Sequence, residues 1–297
     1  MALIDKELKD ILWAASSFAM EIGLDGSLPK DYKSYARYKR SKFKGDLCTF
    51  VDKDNHYNAG YVGLSDIGII VSFRGTKCDS PTELKDWINN IKVKQVDFAP
   101  YGKVHKGFLG AVKNIQEEII KKIKELLNED NSRKLYITGH SKGGAMAFLM
   151  ACMAETVGLT PLVVTFGAPR VGDKEFVKNY NIETYRYESF VDAIPHLPFT
   201  KDEKILLKRL SSVYEEVIDN IDSEAIKIIL GFTALSDYFP VGKRIVIDVN
   251  HGKYSNIPKN IDKTFGEALN SFCAVEWMVR EGEFKQIMDI HNSDYSK

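Results

Sequence analysis

The sequence predicts an α/β fold in which a mostly parallel central sheet carries helices on both faces. Three short apolar runs have the composition of strands buried in such a sheet: residues 67–72, 135–138 and 161–166. Amphipathic stretches alternate with these runs, and residues 111–127 are the clearest of them. Because strands that alternate with helices usually pair in parallel, the two patterns together indicate this fold class.

The length and composition of the chain indicate one large domain, which we predict to cover residues 1–297. The hydrophobic content of 44% is enough for a sizeable core. Basic and acidic residues balance at 41 each, which argues against a nucleic-acid partner. The four cysteines lack ligand-like spacing and are expected to be reduced thiols without a metal: Cys48, Cys78, Cys152 and Cys273.

The first 22 residues predict an amphipathic helix rather than a signal peptide, because acidic residues interrupt their apolar positions. No run of the sequence reaches the length of a membrane span. Residues 30–44 interleave basic side chains with aromatic ones and are expected to form a tyrosine-anchored surface segment, although anionic lipid or nucleic acid also suits such a pattern. Together these features predict a cytoplasmic protein.

Two segments depart from the alternation of strands and helices. Residues 77–104 form a mostly polar connection beside the predicted site, which is typical of a lid. Residues 201–239 predict two helical stretches that either cap the substrate pocket or pack on the main core. A hairpin is expected from residues 47–51 and 60–64, with Asp52 and its neighbours as turn residues rather than calcium ligands.

The pattern G-x-S-x-G stands at residues 139–143, after a predicted strand and before a predicted helix. That context is the one required of a nucleophile elbow, in which a serine in a strained turn exposes its hydroxyl at the end of a sheet. Gly139 and Gly143 meet the demand for small residues on both sides of the turn. Ser141 is therefore the candidate nucleophile, and Thr76, which ends another strand, is placed to complete an oxyanion hole.

A serine nucleophile also needs a histidine base and a carboxylate that orients it, in the chain order Ser, Asp or Glu, His in this class of fold. Asp192 directly follows a predicted strand, whereas the rival Asp173 lies further from its strand. Three histidines follow the serine: His196, His251 and His291. His196 is too near Asp192 in sequence to approach it readily, and the other two remain open. His105, which precedes the serine, is expected to be structural.

Several motifs occur in a fixed order along the chain: FRGT at 73–76, DWI at 86–88, VHKGF at 104–108, TGHSKGGA at 138–145, TFGAPRVGD at 165–173, VDAIPHLP at 191–198 and HNSDY at 291–295. In these motifs the chain resembles the class 3 lipases, the fungal-lipase-like branch of the α/β-hydrolase fold. The resemblance runs from about residue 60 to the C-terminus. It does not extend to the first 60 residues or to residues 201–239.

The resemblance implies a catalytic triad of Ser141, Asp192 and His291, with Thr76 and the backbone N–H of Lys142 as the oxyanion hole. The stretch VGKRIVID at 241–248 resembles the family's strand before the catalytic histidine, which favours His291 over His251. The chain departs from the family at Lys142, where leucine is usual. An amine at this position raises the question of a substrate that is not purely apolar.

The implied activity is that of a serine carboxylic-ester hydrolase, a lipase or esterase that acts on an acylglycerol or related lipid ester without a cofactor. The expected partner is this ester, with transient contact at a lipid interface and no stable protein partner. Three alternatives share the same residues. They are a phospholipase, an acyltransferase with the same acyl-enzyme, and a catalytically silent lipid-binding protein.

Overall fold

The computed structural model describes residues 4–56, 58–76, 94–189, 192, 194–198, 200, 237–247, 291 and 295. The helices in this part of the chain are α1 (Lys6–Phe18), α2 (Ala36–Arg40), α3 (Lys106–Lys113), α4 (Gln116–Glu129), α5 (Lys142–Glu155) and α6 (Lys174–Asn179). Short 3-10 turns occur at Ala19–Glu21, Tyr32–Ser34 and Ile194–His196. The strands are β1 (Cys48–Val51), β2 (Ala59–Ser65), β3 (Gly68–Phe73), β4 (Gln95–Phe98), β5 (Gly102–His105), β6 (Leu135–His140), β7 (Pro161–Phe166), β8 (Thr184–Ser189) and β9 (Lys243–Ile247).

Seven of these strands form one sheet in the order β1-β2-β3-β6-β7-β8-β9. All pairings from β3 to β9 are parallel, whereas β1 with β2 and β2 with β3 are antiparallel. The predicted mostly parallel sheet with flanking helices is confirmed. The predicted hairpin is also confirmed as β1 and β2, which extend the parallel sheet on one side.

The register of the parallel strands brings their carboxyl ends to one edge of the sheet. Phe73 of β3 pairs with Gly139 of β6, and Phe166 of β7 lies between His140 of β6 and Tyr187 of β8. The residues that follow these strands therefore meet at the same edge, where open α/β folds place their ligands.

Helices cover both faces of the sheet. On one face α1 packs on β3 and β6, and its Leu12 and Ala15 join a cluster with Ile70, Tyr136 and Val164. On the other face α5 is buried at every position from Gly143 to Ala154 and packs on β6 and β7. The predicted N-terminal amphipathic helix thus forms one of the two layers over the sheet.

The structure corrects one expectation and adds detail to another. The helix predicted over residues 111–127 is two helices, α3 and α4, separated near Asn114. At this break the Asn114 amide donates to Asp52 and Asp54 of the β1–β2 turn, contacts that a periodicity of apolar residues does not encode. The connection at residues 77–104 contains the antiparallel pair β4–β5 in its described part.

Several sequence predictions fall on residues outside the described part of the chain: residues 77–93 of the possible lid, residues 201–236 of the possible cap, His251, Cys78 and Cys273. Cys48 and Cys152 are free thiols. Among the described helices, none has the length and apolar character needed to cross a membrane. Within the same residues, no group of acidic, histidine and cysteine side chains has the arrangement of a metal site.

Candidate active site

Ser141 occupies the turn between β6 and α5 with φ 56° and ψ −128°, in the left-handed region that residues other than glycine seldom adopt. Its backbone N–H donates to the carbonyl of Phe166 on the neighbouring strand at 2.9 Å. The strained residue is therefore fixed by the sheet itself, at the edge where the strand ends meet.

Ser141 is also the residue that precedes the first turn of α5, a position from which a serine hydroxyl normally caps the helix. Here its side chain makes no capping hydrogen bond. Two other helices show the ordinary behaviour: His105 Nδ1 accepts from the Phe108 N–H at 3.2 Å, and Asp173 accepts from the Phe176 N–H at 2.8 Å. His105 and the rival acid Asp173 thus have structural roles as helix caps.

Gly139 and Gly143 permit the strand and helix to cross closely at the elbow. A Cβ atom on Gly139 would lie 2.3 Å from the carbonyl oxygen of Gly143. A Cβ atom on Gly143 would lie 2.3 Å from the carbonyl oxygen of Phe73. Both distances are below any real contact and involve backbone atoms that cannot move aside. The requirement for small residues around the serine is confirmed.

His291 and Asp192 form a hydrogen-bonded pair at the same edge. The Nδ1 atom of His291 lies 2.7 Å from Oδ2 of Asp192, and both side chains are buried. Since an ionised carboxylate only accepts, Nδ1 carries a hydrogen, and Nε2 is the acceptor nitrogen of the neutral imidazole. The Nε2 atom is buried and has no hydrogen-bond partner among the described residues.

Further donors hold the carboxylate of Asp192. The N–H of Ile194 donates to Oδ1 at 3.0 Å, and the hydroxyl of Tyr295 donates to Oδ2 at 3.4 Å. Burial raises the pKa of Tyr295 well above its usual value, so this hydroxyl stays protonated and available as a donor. Among the described residues, the histidine that pairs with this carboxylate is His291, and the nearby His196 in the chain does not.

His196 is enclosed and carries no charge in this environment. Burial lowers its pKa well below the usual range, and the charges of Arg244, Arg170 and Arg186 lower it further. A histidine with so low a pKa is a poor acceptor for the proton of a serine.

Gly167, which follows β7, lies against the pair with φ 57°. A Cβ atom there would approach Asp192 Oδ2 and His291 Cε1 to 3.0 Å and the Tyr295 hydroxyl to 3.1 Å. Only glycine fits both this backbone conformation and this space. The sequence alone did not single out Gly167 or Tyr295, although they lie inside the motifs at 165–173 and 291–295.

Thr76 follows β3 at the same edge of the sheet. Its Oγ1 atom is buried and, within the described part of the chain, has no hydrogen-bond partner. The neighbouring Arg74 is buried, and its guanidinium donates to the carbonyl oxygens of Ile22 at 2.7 Å and His56 at 2.6 Å. Arg74 thus fixes the loop from which Thr76 projects, and its role in FRGT is structural.

Lys142 begins α5, and its ammonium donates to Asn58 Oδ1 at 3.1 Å. The amide of Asn58 donates in turn to Asp52 Oδ2 at 2.9 Å, and Asn114 donates to Asp52 Oδ1 at 3.0 Å. Because the carboxylate only accepts, it turns the Asn58 carbonyl toward the lysine. Sequence reasoning noticed Lys142 but missed Asn58, whose amide reaches it from the β1–β2 turn.

Comparison with known proteins adds an independent line of observation. Residues 70–202 match the family model of the class 3 lipases. The chain is 35% identical to a lipase of Rhizomucor miehei over 147 residues, which cover 46% of this chain and 39% of that protein. It is 31% identical to a secreted mono- and diacylglycerol lipase of Fusarium solani over 135 residues, which cover 44% of this chain and 39% of that protein.

The structure also superposes on a solved triacylglycerol lipase whose catalytic centre is described as a serine protease triad. The TM-score is 0.54 at 26% identity, over 67% of this chain and 77% of that one. The chain spans only about two fifths of the length of the two curated relatives, at 39% each. The matched residues 70–202 hold the elbow and the carboxyl ends of β3, β6, β7 and β8. These residues are thus similar to the class 3 lipases, and the sheet that carries them has the α/β-hydrolase fold.

Proposed function

We propose that this protein is a serine carboxylic-ester hydrolase that acts on lipid esters, with acylglycerols as the leading substrate class. The observation that carries the proposal is the geometry of Ser141. It stands in a left-handed turn with no capping hydrogen bond, at the sheet edge that also holds the His291–Asp192 pair. A serine in that position is available for nucleophilic attack.

In the first step Ser141 Oγ attacks the ester carbonyl carbon while His291 Nε2 takes the hydroxyl proton. Asp192 accepts the Nδ1–H of His291 and stabilises the imidazolium that forms. Collapse of the tetrahedral intermediate breaks the bond to the alcohol oxygen, which receives the proton from His291. The product is an acyl-serine and a free alcohol.

In the second step water attacks the acyl-serine as His291 accepts its proton. The acid departs and the Ser141 hydroxyl is restored when the histidine returns the proton. No redox or metal chemistry enters this cycle.

Thr76 and the N–H of Lys142 are the proposed donors to the oxyanion of each tetrahedral intermediate. The N-terminus of α5 adds the positive end of its dipole at the same place. A single such donor typically lowers the barrier by about 3 kcal/mol.

Two buried atoms without partners among the described residues support this assignment of roles: His291 Nε2 and Thr76 Oγ1. Leaving a buried polar atom unpaired costs about 1–3 kcal/mol, so such atoms call for an explanation. The proposed reaction uses both of them, one as the proton acceptor and one as an oxyanion donor.

The substrate class rests on the relatives, whose names refer to mono-, di- and triacylglycerols. We retain as predictions a single domain over residues 1–297, transient contact with a lipid interface and a cytoplasmic location. The Fusarium solani relative is by name a secreted protein.

The proposal is tested with p-nitrophenyl esters graded from acetate to palmitate, each assayed below and above its solubility limit. We expect hydrolysis by the wild type that is lost in Ser141→Ala. A rise in rate above the solubility limit identifies a lipase, and its absence identifies an esterase. Lack of turnover across the whole series, together with tight binding of lipid, would instead support a silent lipid-binding protein.

The base is tested separately on the butyrate ester with His291→Ala and His251→Ala. We expect the first variant to lose activity and the second to retain it. The reverse result would move the role of base to His251. Added alcohol or thiol acceptors in the same assay distinguish an acyltransferase, which forms a new ester or thioester in place of free acid.

A further inference from the structure

His140 contacts the histidine of the His291–Asp192 pair and is covalently joined to Ser141. It is the last residue of β6, and its Nε2 atom lies 2.8 Å from the backbone carbonyl oxygen of His291. Because a carbonyl oxygen only accepts, Nε2 of His140 carries a hydrogen and donates it. A side chain adjacent to the serine therefore binds the main chain of the histidine 151 positions later.

The two imidazole rings are also in contact, in a tilted arrangement. Their centroids are 4.6 Å apart and their planes differ by 33°. Trp13 and Tyr295 also contact the His140 ring in edge-on arrangements, with centroid distances of 5.7 and 6.1 Å. The His140 side chain is thus held by contacts with three rings and by one hydrogen bond.

His140 is neutral in this environment. Burial and the neighbouring His291 lower its pKa to about 3. A neutral ring adds no positive charge beside the imidazolium that His291 becomes when it accepts a proton. The contact is therefore compatible with both protonation states of His291.

These contacts divide the positioning of His291 between two residues. Asp192 fixes the orientation of its ring through Nδ1, whereas His140 fixes its main chain through the carbonyl oxygen. Since His140 and Ser141 are consecutive, the strand end that places the serine also places the base.

We propose that His140 is a positioning residue, which holds the main chain of His291 in place so that its ring can accept the proton of Ser141. This inference rests on the function proposed above. It predicts that loss of the hydrogen bond lowers kcat more than it changes KM, because His140 acts through His291.

The test compares His140→Met with His140→Gln. Methionine keeps the side-chain volume without a hydrogen-bond donor, whereas the amide N–H of glutamine lies about as far from the backbone as the histidine Nε2. Trp13→Phe is the control for packing, since Trp13 contacts the His140, Phe166 and Tyr295 rings. Active sites are first titrated with a fluorophosphonate, so that kcat refers to competent protein only. Rates are then measured on the soluble butyrate ester, and thermal unfolding is followed in parallel.

We expect kcat per titrated site to fall on the order of 100-fold in His140→Met, the effect of a small displacement of a catalytic group, with KM nearly unchanged. His140→Gln should recover most of this loss, and Trp13→Phe should retain kcat even where it lowers the unfolding temperature. If His140→Met fails to fold, His140→Asn, an amide too short to reach the carbonyl, replaces it in the comparison with glutamine.

The inference is wrong if His140→Met keeps wild-type kcat, if glutamine falls as far as methionine, or if Trp13→Phe loses as much as either. Failure of the proposed function is distinguished in the same experiment, because the wild type would then show no labelling that depends on Ser141. Labelling of the wild type together with an unaffected His140→Met variant would overturn the role of His140 alone.

Discussion

The two flanks of the elbow at Ser141 are built from different chemistry. The histidine flank consists of His140, Asp192, His291 and Tyr295, which are buried and joined by hydrogen bonds of 2.7, 2.8 and 3.4 Å and by ring contacts. The lysine flank consists of Asp52, Asn58, Asn114 and Lys142, which form a chain of amides around one carboxylate at the β1–β2 turn. Ser141 stands in the sequence between His140 of the first flank and Lys142 of the second.

The difference follows from what each flank contributes to the proposed reaction. A charge appears and disappears on His291 in each step, and a dry, rigid surrounding strengthens its interaction with Asp192. The proposed contribution of Lys142 is its backbone N–H, and its side chain ties the start of α5 to the β1–β2 turn through Asn58. Substitutions in the histidine flank should therefore lower the rate, and those in the lysine flank should mainly lower stability.

The largest expected effect is on the histidine flank. Asp192→Asn removes the negative charge and disturbs the tautomer of His291, and we expect kcat on the butyrate ester to fall about 10⁴-fold. Asp173→Asn is the matched control. Asparagine caps helices as well as aspartate does, so kcat and stability should stay near the wild-type values. Equal losses in the two variants would contradict the division of roles between these acids.

The next effect concerns the elbow that joins the flanks. Gly143→Ala brings a methyl group against the Phe73 carbonyl, and we expect the free energy of unfolding in urea to fall by about 3 kcal/mol. Gly110→Ala in α3 is its control, because nothing lies within 4 Å of the added atom. Helix propensity predicts a gain of about 0.5–1 kcal/mol there. A stable Gly143→Ala variant would show that strand and helix are not closely packed.

On the lysine flank, Asp52→Asn should lower the free energy of unfolding by about 2 kcal/mol near neutral pH, since two amides lose a charged acceptor. Burial raises the pKa of Asp52, but hydrogen bonds from Asn58 and Asn114 outweigh burial and lower it overall. A carboxyl group whose pKa is lower in the folded state stabilises that state at pH values above its unfolded pKa. This stabilisation is lost as the pH falls through the folded pKa.

The difference in the free energy of unfolding between the wild type and Asp52→Asn should therefore become smaller below about pH 4. Urea unfolding measured from pH 7 to pH 3 provides the comparison, and the exposed Asp54→Asn variant is the control. A gap that stays constant with pH would show that the Asp52 carboxylate is not the source of the difference.

The smallest expected effect on rate is that of Lys142→Met. The backbone N–H survives the substitution, so kcat/KM on the butyrate ester should change by less than about tenfold. Removal of one oxyanion donor should have a larger effect, because it typically raises the barrier by about 3 kcal/mol. A Thr76→Val variant, which removes a proposed donor without loss of volume, provides that reference. If the lysine variant loses as much as the threonine variant, the ammonium itself acts on the reacting ester.

The sequence was informative where chemistry depends on the ends of strands. Apolar runs identified β3, β6 and β7, and the residues after them include Thr76 and Ser141, which the structure brings to one edge. Gly139 and Gly143 indicated the close crossing of strand and helix, because a side chain at either position would clash with the backbone. A sequence pattern can reveal a steric requirement of this kind.

What the sequence did not reveal depends on contacts between distant segments. Asn114 divides one predicted helix because it reaches Asp52, and no local propensity encodes that contact. His140 stands inside G-x-S-x-G, but its position there says nothing of a bond to a carbonyl 151 residues away. Residues 95–105 form a two-stranded sheet whose short strands have little apolar alternation.

The central claim is that Ser141 is a nucleophile activated by the histidine flank. Its most direct test is tandem mass spectrometry of the protein after reaction with a fluorophosphonate, with Ser141→Ala and Asp192→Asn treated in parallel. We predict one adduct per chain, located on Ser141, absent from the alanine variant and formed much more slowly in the asparagine variant. An adduct on another residue, or none in the wild type under conditions where the protein is folded, would contradict the account.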